Sequence, residues 1–389
     1  MLAALFSLLA CGPAPEDAAF APGAAIAGKG GGFPGGAFPG GGFPGGAFPG
    51  GAFPGGGDDL RWPGATWDEL APAEVGADAS LLEDAFDYAA QPRMNTQSVV
   101  VVKDGAIIGE WYDSGEDADS VATSWSMAKS VVSALIGMHL DEGTIGSLDD
   151  SIADYLTDWA GTPEAAVTLR DLLEMRSGLS SAGDASIYWS SDALASALSR
   201  SLRYTPGTHW AYINQDTQLL GGALEVISGA PLAEHADAIL LSRLGIEATW
   251  WSDLAGNTLA YCCMDATSRD FARFGLLYAR GGAWDGEQLV PAAYVRASTH
   301  APLGSSGYGY QWWLPWWSTT ENLFMAVGYH EQYIYVFPDR DLVVVRNGDY
   351  THVGPDAVTD GTSYHDTTGA TGWSDEAFLA LILDAFDGP

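Results

Sequence analysis

The sequence predicts an α+β domain: an antiparallel β-sheet flanked by helices, with a mostly helical subdomain set into it. Three observations carry that prediction. A hairpin pattern, "QSVVVVKDGAIIGEWY", lies early in the chain. A second, "QYIYVFPDRDLVVVRNG", lies near its end. Between them the apolar residues recur mainly at helical spacing. Strands and helices are thus segregated along the chain rather than strictly alternating, which favours a layered α+β arrangement over a doubly wound sheet. The sheet needs both ends of the domain, and the helical middle is an insertion.

Each element has a local reason. "LLEDAFDYAAQ" carries apolar positions at helical spacing. In the first hairpin a β-branched run meets the turn Lys103-Asp104-Gly105, and a second apolar run follows. "SMAKSVVSALIGMHLDEG" is a long, nearly continuous apolar helix, which implies burial on most sides, and it stops near Gly143. "SLDDSIADYL" reads as a capped turn and a short helix. In "TLRDLLEMRSGL", Thr168 is an N-cap with Asp171 three residues on. "INQDTQLLGGALEVISG" and "DATSRDFARFGLLYARGG" are helices that end in Gly. "LGSSGYGYQWWLPWW" is irregular and leads to a strand. Pro338-Asp339-Arg340-Asp341 turns the second hairpin, and "DEAFLALILDAF" closes the domain with a helix.

Composition bounds the function. The chain has 389 residues, enough for one large catalytic unit or two domains, and a formal net charge of −34. Its lysines are Lys29, Lys103 and Lys129. So acidic a surface repels phosphate backbones and argues against nucleic acid as a partner. No apolar run is long enough for a transmembrane helix. Cys11 stands alone, and Cys262 and Cys263 are neighbours. A bond between adjacent cysteines is strained, so small buried hydrophobes are the expectation for that pair.

Residues 1–58 stand apart from the fold. "MLAALFSLLACG" resembles a bacterial lipoprotein signal, with Cys11 as the lipidated residue, although no Lys or Arg precedes the apolar run. Residues 1–11 are thus read as a signal and 12–58 as a linker. In that linker Phe recurs at 33, 38, 43, 48 and 53, each time followed by Pro-Gly. Pro removes donors and Gly adds chain entropy, so a flexible tether is expected. The globular domain spans 59–389. Export, with a lipid anchor in the bacterial cell envelope, is the expected localisation.

Three segments carry candidate chemistry. Ser126 and Lys129 lie three apart on a predicted helix and so share a face. A serine in a first helical turn gains from the helix dipole and offers its own N–H to an oxyanion. Lys129 sits in an apolar helix, where an ammonium needs polar partners. Tyr212 and Asn214 are two apart, so in an extended segment they point the same way. A Tyr beside a cation can act as a base on a serine, and Asn214 offers both donor and acceptor to an amide. "VGYHEQYIYV" supplies a strand edge whose N–H groups could bind a carbonyl.

In order and spacing these segments resemble the serine β-lactamase and penicillin-binding protein superfamily. The resemblance is nearer to the class C β-lactamase-related hydrolases, which include esterases and 6-aminohexanoate-dimer hydrolases. Ser126-Met127-Ala128-Lys129 and Tyr212-Ile213-Asn214 carry it, supported by "DLLEMRSGL", "MDATSRDFARFGLLY" and "GYGYQWWLP". The resemblance implies a β-lactamase/transpeptidase-like fold with Ser126 as acylated nucleophile. It implies Lys129 and Tyr212 as the activating system, and Asn214, Tyr188 and Gln332 at the substrate. Trp189, Trp312, Trp313, Trp316 and Trp317 either wall the cleft or pack the core. No metal or organic cofactor is implied, since serine acyl transfer needs none.

The third family motif is altered. Where Lys-Thr-Gly or His-x-Gly is usual, this chain has Tyr329-His330-Glu331-Gln332. No Lys is there to hold a β-lactam carboxylate, and Glu331 stands where Gly would admit substrate closely. A small-molecule amide or ester is therefore the expected substrate, with a β-lactamase or D-alanyl peptidase as the alternative. A non-catalytic cell-surface binding protein on the same fold is a further reading, opposed by the retained Ser126, Lys129 and Tyr212. No G-x-S-x-G and no H-E-x-x-H occurs in the sequence.

Overall fold

A computed structural model describes residues 60–302, 307–315, 317, 321–349 and 372–388. The signal at Cys11, the Phe-Pro-Gly repeats and Trp316 lie outside the described residues. In chain order the strands are β1 (Thr96–Lys103), β2 (Ala106–Tyr112), β3 (Val121–Thr123), β4 (Thr249–Trp250) and β5 (Met264–Thr267). They continue with β6 (Ala283–Trp284), β7 (Glu287–Gln288), β8 (Phe324–Gly328), β9 (Gln332–Phe337) and β10 (Leu342–Gly348). The first five helices are α1 (Ala79–Ala89), α2 (Ala128–Glu142), α3 (Leu169–Leu173), α4 (Ala193–Leu198) and α5 (Asn214–Ser228). The rest are α6 (Leu232–Ala236), α7 (Ser242–Leu244), α8 (Ser268–Ala279), α9 (Ala292–Ser298) and α10 (Asp375–Asp387).

The main sheet is five-stranded, in the order β2-β1-β10-β9-β8. Its centre is β1 against β10, antiparallel, with Val100 opposite Val345 and Val102 opposite Val343. The two ends of the domain thus meet in one sheet, as the segregated pattern requires. Val100, Val102, Val343 and Val345 face the main core with α2 and α8. Val99, Val101, Val344 and Tyr335 face α1 and α10 through Leu82, Phe86, Phe378 and Ile382. Both faces are covered, which is why the valine run shows no polar alternation.

The turns follow their sequences. Asp104 and Gly105 take positive φ in the first hairpin, at 52° and 76°. In the second, Asp341 takes φ 45°. The buried Arg280 clamps its carboxylate with two hydrogen bonds, of 3.0 and 2.7 Å. Gly143 ends α2 in the left-handed region. Thr168 and Asp171 form the expected capping box at α3.

The small sheet β3-β5-β4 was not foreseen. Its strands are too short to show a period in the sequence. It matters because β3 runs directly into the turn that carries Ser126.

Candidate active site

Ser126 lies in a 3₁₀ turn, Trp125–Met127, that leads into α2. The turn is anchored from behind. Ser124 N donates to Met264 O at 2.8 Å, and Met264 N donates to Ser124 Oγ at 2.9 Å. Trp125 holds φ 45°, rarely adopted by a bulky residue, immediately before the serine. Its ring packs edge-on against Tyr188 and Tyr329, at 6.2 and 5.4 Å between centroids.

Lys129 is only 1% exposed. Its ammonium is nonetheless fully engaged: Nζ donates to Ser126 Oγ at 2.8 Å, to Asn214 Oδ1 at 2.8 Å and to Tyr261 O at 2.6 Å. It also lies 5.0 Å from the centroid of the Tyr212 ring. Three polar oxygens around one buried nitrogen meet its need for partners and hold it against the serine oxygen.

Asn214 opens α5, and its orientation is set from the far side. Its backbone N and its Nδ2 both donate to Asp184, at 2.9 and 3.2 Å. Nδ2 also reaches Tyr188 Oη at 3.5 Å. With Nδ2 spent there, Oδ1 is left to face Lys129. Asp184 opens a 3₁₀ helix, Asp184–Trp189, and the residues leading into it are braced by Arg200, which donates to Ala182 O at 2.6 Å and to Gly183 O at 2.9 Å. Burial pushes the Asp184 carboxyl up, while the Asn214 N–H, Lys129 and Arg200 pull it down.

Asp216, two residues further into α5, is fully buried. Burial raises its carboxyl well above the usual range; nearby Ser177 opposes this, and Asp184 and Asp171 reinforce it. Its folded affinity for the proton thus exceeds that of the unfolded chain, which ionises near pH ~4. Its contribution to stability is present below that pH and is lost as pH rises towards the folded value. Asp216→Asn is expected to gain on the wild type by ~1 kcal/mol per pH unit across that interval. Urea unfolding of both proteins at about pH 4.5 and about pH 6.5 checks the sign; a difference that stays flat or shrinks with pH contradicts it.

Gly328 ends the edge strand β8 beside the Ser126 turn. A Cβ there would lie 2.3 Å from Ser124 O and 3.1 Å from Trp125 Cβ, so only Gly permits the strand to approach the serine so closely. The edge strand of the sheet is therefore the one that borders the nucleophile.

The structure brings Ser126, Lys129, Tyr212, Asn214 and Tyr188 to one place. Gln332 differs. It is fully buried, donates through Nε2 to Gly348 O at 3.0 Å, and accepts from Asn347 Nδ2 at 2.8 Å and Gly348 N at 3.1 Å. Its side chain braces β9 against β10, which corrects the expectation that it contacts substrate. The Glu331 expectation also changes. Both His330 and Glu331 have φ 58°, so a left-handed backbone is what the position demands. The turn is tied inward by buried Arg346, which donates to Glu331 O at 2.7 Å and stacks on Trp373 at 4.5 Å.

Trp312 is core, packed on Phe274 and Tyr278. Trp313 instead lies against the Tyr212 ring at 5.4 Å. Trp189 is 46% exposed beside Tyr188. The cysteine expectation fails for the thiols: Cys262 and Cys263 are joined by a disulfide. They are fully buried, as expected, but not as thiols. A backbone turn with Cys263 at φ 71° accommodates the bond that spacing alone disfavoured. Sequence reasoning also missed Asp184 and the Tyr261 carbonyl. The first was visible only as an acid four residues before Tyr188, and a backbone carbonyl leaves no signal at all.

A five-stranded antiparallel sheet with a helical insertion, and a serine bound to a buried lysine at the head of a helix, define a serine hydrolase. The chain belongs to the Beta-lactamase family, whose sequence profile matches residues 83–367. It is 23% identical over 286 residues to the 6-aminohexanoate-dimer hydrolase of Paenarthrobacter ureafaciens, covering 64% of this chain and 72% of that protein. Among solved structures it is similar to an octameric penicillin-binding protein homologue from Pyrococcus abyssi. That match has a TM-score of 0.60 and 17% identity, over 79% of this chain and 77% of the other. A penicillin-binding protein homologue from Caulobacter crescentus matches with a TM-score of 0.60 and 16% identity, over 76% and 96%.

Proposed function

We propose that the protein hydrolyses amide or ester bonds outside the β-lactam class through an acyl-enzyme on Ser126. The observation that carries this reading is the Lys129 ammonium, held between Ser126 Oγ, Asn214 Oδ1 and Tyr261 O and lying near the Tyr212 ring. A cation there favours the phenolate of Tyr212, which takes the Ser126 proton as Oγ bonds to the substrate carbonyl carbon. The tetrahedral oxygen is received by the Ser126 N–H and an N–H from the β8 edge. Collapse breaks the bond to the leaving amine or alcohol, which receives the proton back from Tyr212. Water then repeats the sequence on the acyl-enzyme and frees Ser126.

Several features support a neutral or cationic substrate with an apolar body. The chain carries a net charge of −34, and Glu331 lies in the turn beside the site. Tyr188, Trp189, Tyr329 and Trp313 surround it with aromatic surface. Tyr329-His330-Glu331-Gln332 has no Lys for a β-lactam carboxylate. A relative named 6-aminohexanoate-dimer hydrolase supports the amide side of the reading.

The second reading, β-lactamase or D-alanyl peptidase, shares the serine and lysine. Turnover of nitrocefin against p-nitrophenyl esters and short linear amides separates the two. Ester or linear-amide kcat/KM is expected to exceed that for nitrocefin by ~10² or more, the loss that follows when a charged substrate group has no partner. Faster nitrocefin turnover would reverse the assignment. Export with a lipid on Cys11 is part of the proposal, and the buried disulfide supports an oxidising compartment.

A further inference from the structure

The Cys262–Cys263 disulfide lies where it can govern the Ser126–Lys129 pair. Tyr261, whose carbonyl accepts from Lys129 Nζ at 2.6 Å, immediately precedes it. Met264, immediately after it, exchanges two hydrogen bonds with Ser124, two residues before Ser126. The four residues from 261 to 264 thus hold the lysine at one end and the serine turn at the other. The segment is pinned between: Trp251 N donates to Cys263 O at 2.9 Å, and Cys262 N donates to Leu259 O at 3.2 Å. Both cysteines lie in a small buried cluster with Trp125, Ile187, Trp251 and Tyr261, against which Tyr188 and Tyr329 pack.

We propose that this disulfide is a positioning element for catalysis, and that opening it slows acylation of Ser126. The proposal rests on the serine hydrolase reading above. A bond between neighbours closes a small ring around their shared peptide and removes backbone freedom on both sides of it. The Tyr261 carbonyl is thereby held at a fixed place under Lys129. Neither cysteine touches the reacting atoms; they act through Tyr261 and Met264. Opening is a two-electron reduction. A dithiol such as dithiothreitol gives up its two hydrogens and becomes a cyclic disulfide, and Cys262 and Cys263 become thiols. Both sulfurs remain in place as buried groups, so the cluster keeps its apolar contents while the ring constraint is lost.

The test compares the full-length protein, produced in an oxidising periplasm, with the same protein refolded from urea under dithiothreitol. Iodoacetamide mass labelling after denaturation counts the thiols in each. Stopped-flow acylation by a p-nitrophenyl ester, near-UV circular dichroism and the pH profile of kcat/KM are then measured. The expected result is an oxidised pair in the first sample, and acylation slower by ~10- to 10²-fold in the reduced one, the range for a misplacement of about 1 Å. KM and the circular dichroism should be nearly unchanged, the basic limb of the pH profile shifted, and the rate restored by reoxidation. Rates within twofold, or alkylation mapped to Cys262 and Cys263 in the periplasmic protein, overturn the proposal. Loss of the circular dichroism signal together with activity also overturns it, because the bond is then needed for the fold. Cys262→Ala/Cys263→Ala gives the same comparison should reduced protein not refold. An oxidised protein with no Ser126-dependent turnover would defeat the hydrolase reading itself, a different outcome from equal rates.

Discussion

Lys129→Ala is expected to lower kcat/KM on an activated ester by ~10²–10⁴, with KM little changed. Lys129 does two things that no neighbour can replace. It holds the serine oxygen at 2.8 Å, and it places a cation 5.0 Å from the Tyr212 ring. Without it the phenolate loses its charge partner and Ser126 its orientation. The substitution also strands the buried acceptors Asn214 Oδ1 and Tyr261 O, at ~1–3 kcal/mol each. A lower melting temperature should therefore accompany the kinetic loss. Small primary amines separate the two effects, since ethylamine can enter the vacated space and restore the charge. Partial recovery of kcat with added ethylamine, without matching recovery of the melting temperature, is the expected signature. A variant within threefold of wild type would remove Lys129 from the mechanism.

Tyr212→Phe is expected to cost ~10²–10⁴ in kcat, the usual range for a lost general base. The ring is retained, so its contacts with Trp313 and Tyr308, at 5.4 and 5.9 Å, should persist and stability should change little. That makes the variant a clean separation of hydroxyl from ring. An unchanged kcat would pass the base role to another group.

Much of the fold was legible because it rests on local chemistry. Valine runs, glycine stops and the Thr168–Asp171 cap each dictate their own element. The meeting of β1 with β10 followed from the segregation of strands to the two ends. Ser126, Lys129, Tyr212 and Asn214 were legible because helical and extended spacing each put a pair on one side. Ile213 between the last two is buried in the core, as that alternation requires. Gln332, placed at the substrate by the resemblance, is spent on Asn347 and Gly348, a demand of the buried strand end that no motif records. The cysteine pair was misread because spacing carries the cost of a bond between neighbours but not the turn that accommodates it. Asp184 orients Asn214 towards Lys129 across a separation no motif spans. The demand for left-handed backbone at His330 and Glu331 arises from how the β8–β9 turn folds and leaves no mark in the residue types.

The central claim is that Ser126 becomes covalently acylated. Intact-protein mass spectrometry after exposure to a fluorophosphonate tests it most directly, with peptide mapping of the adduct and Ser126→Ala as control. The account predicts one adduct on Ser126, parallel loss of esterase activity, and neither adduct nor activity above background in Ser126→Ala. No adduct, or ester turnover equal in wild type and Ser126→Ala, would contradict it.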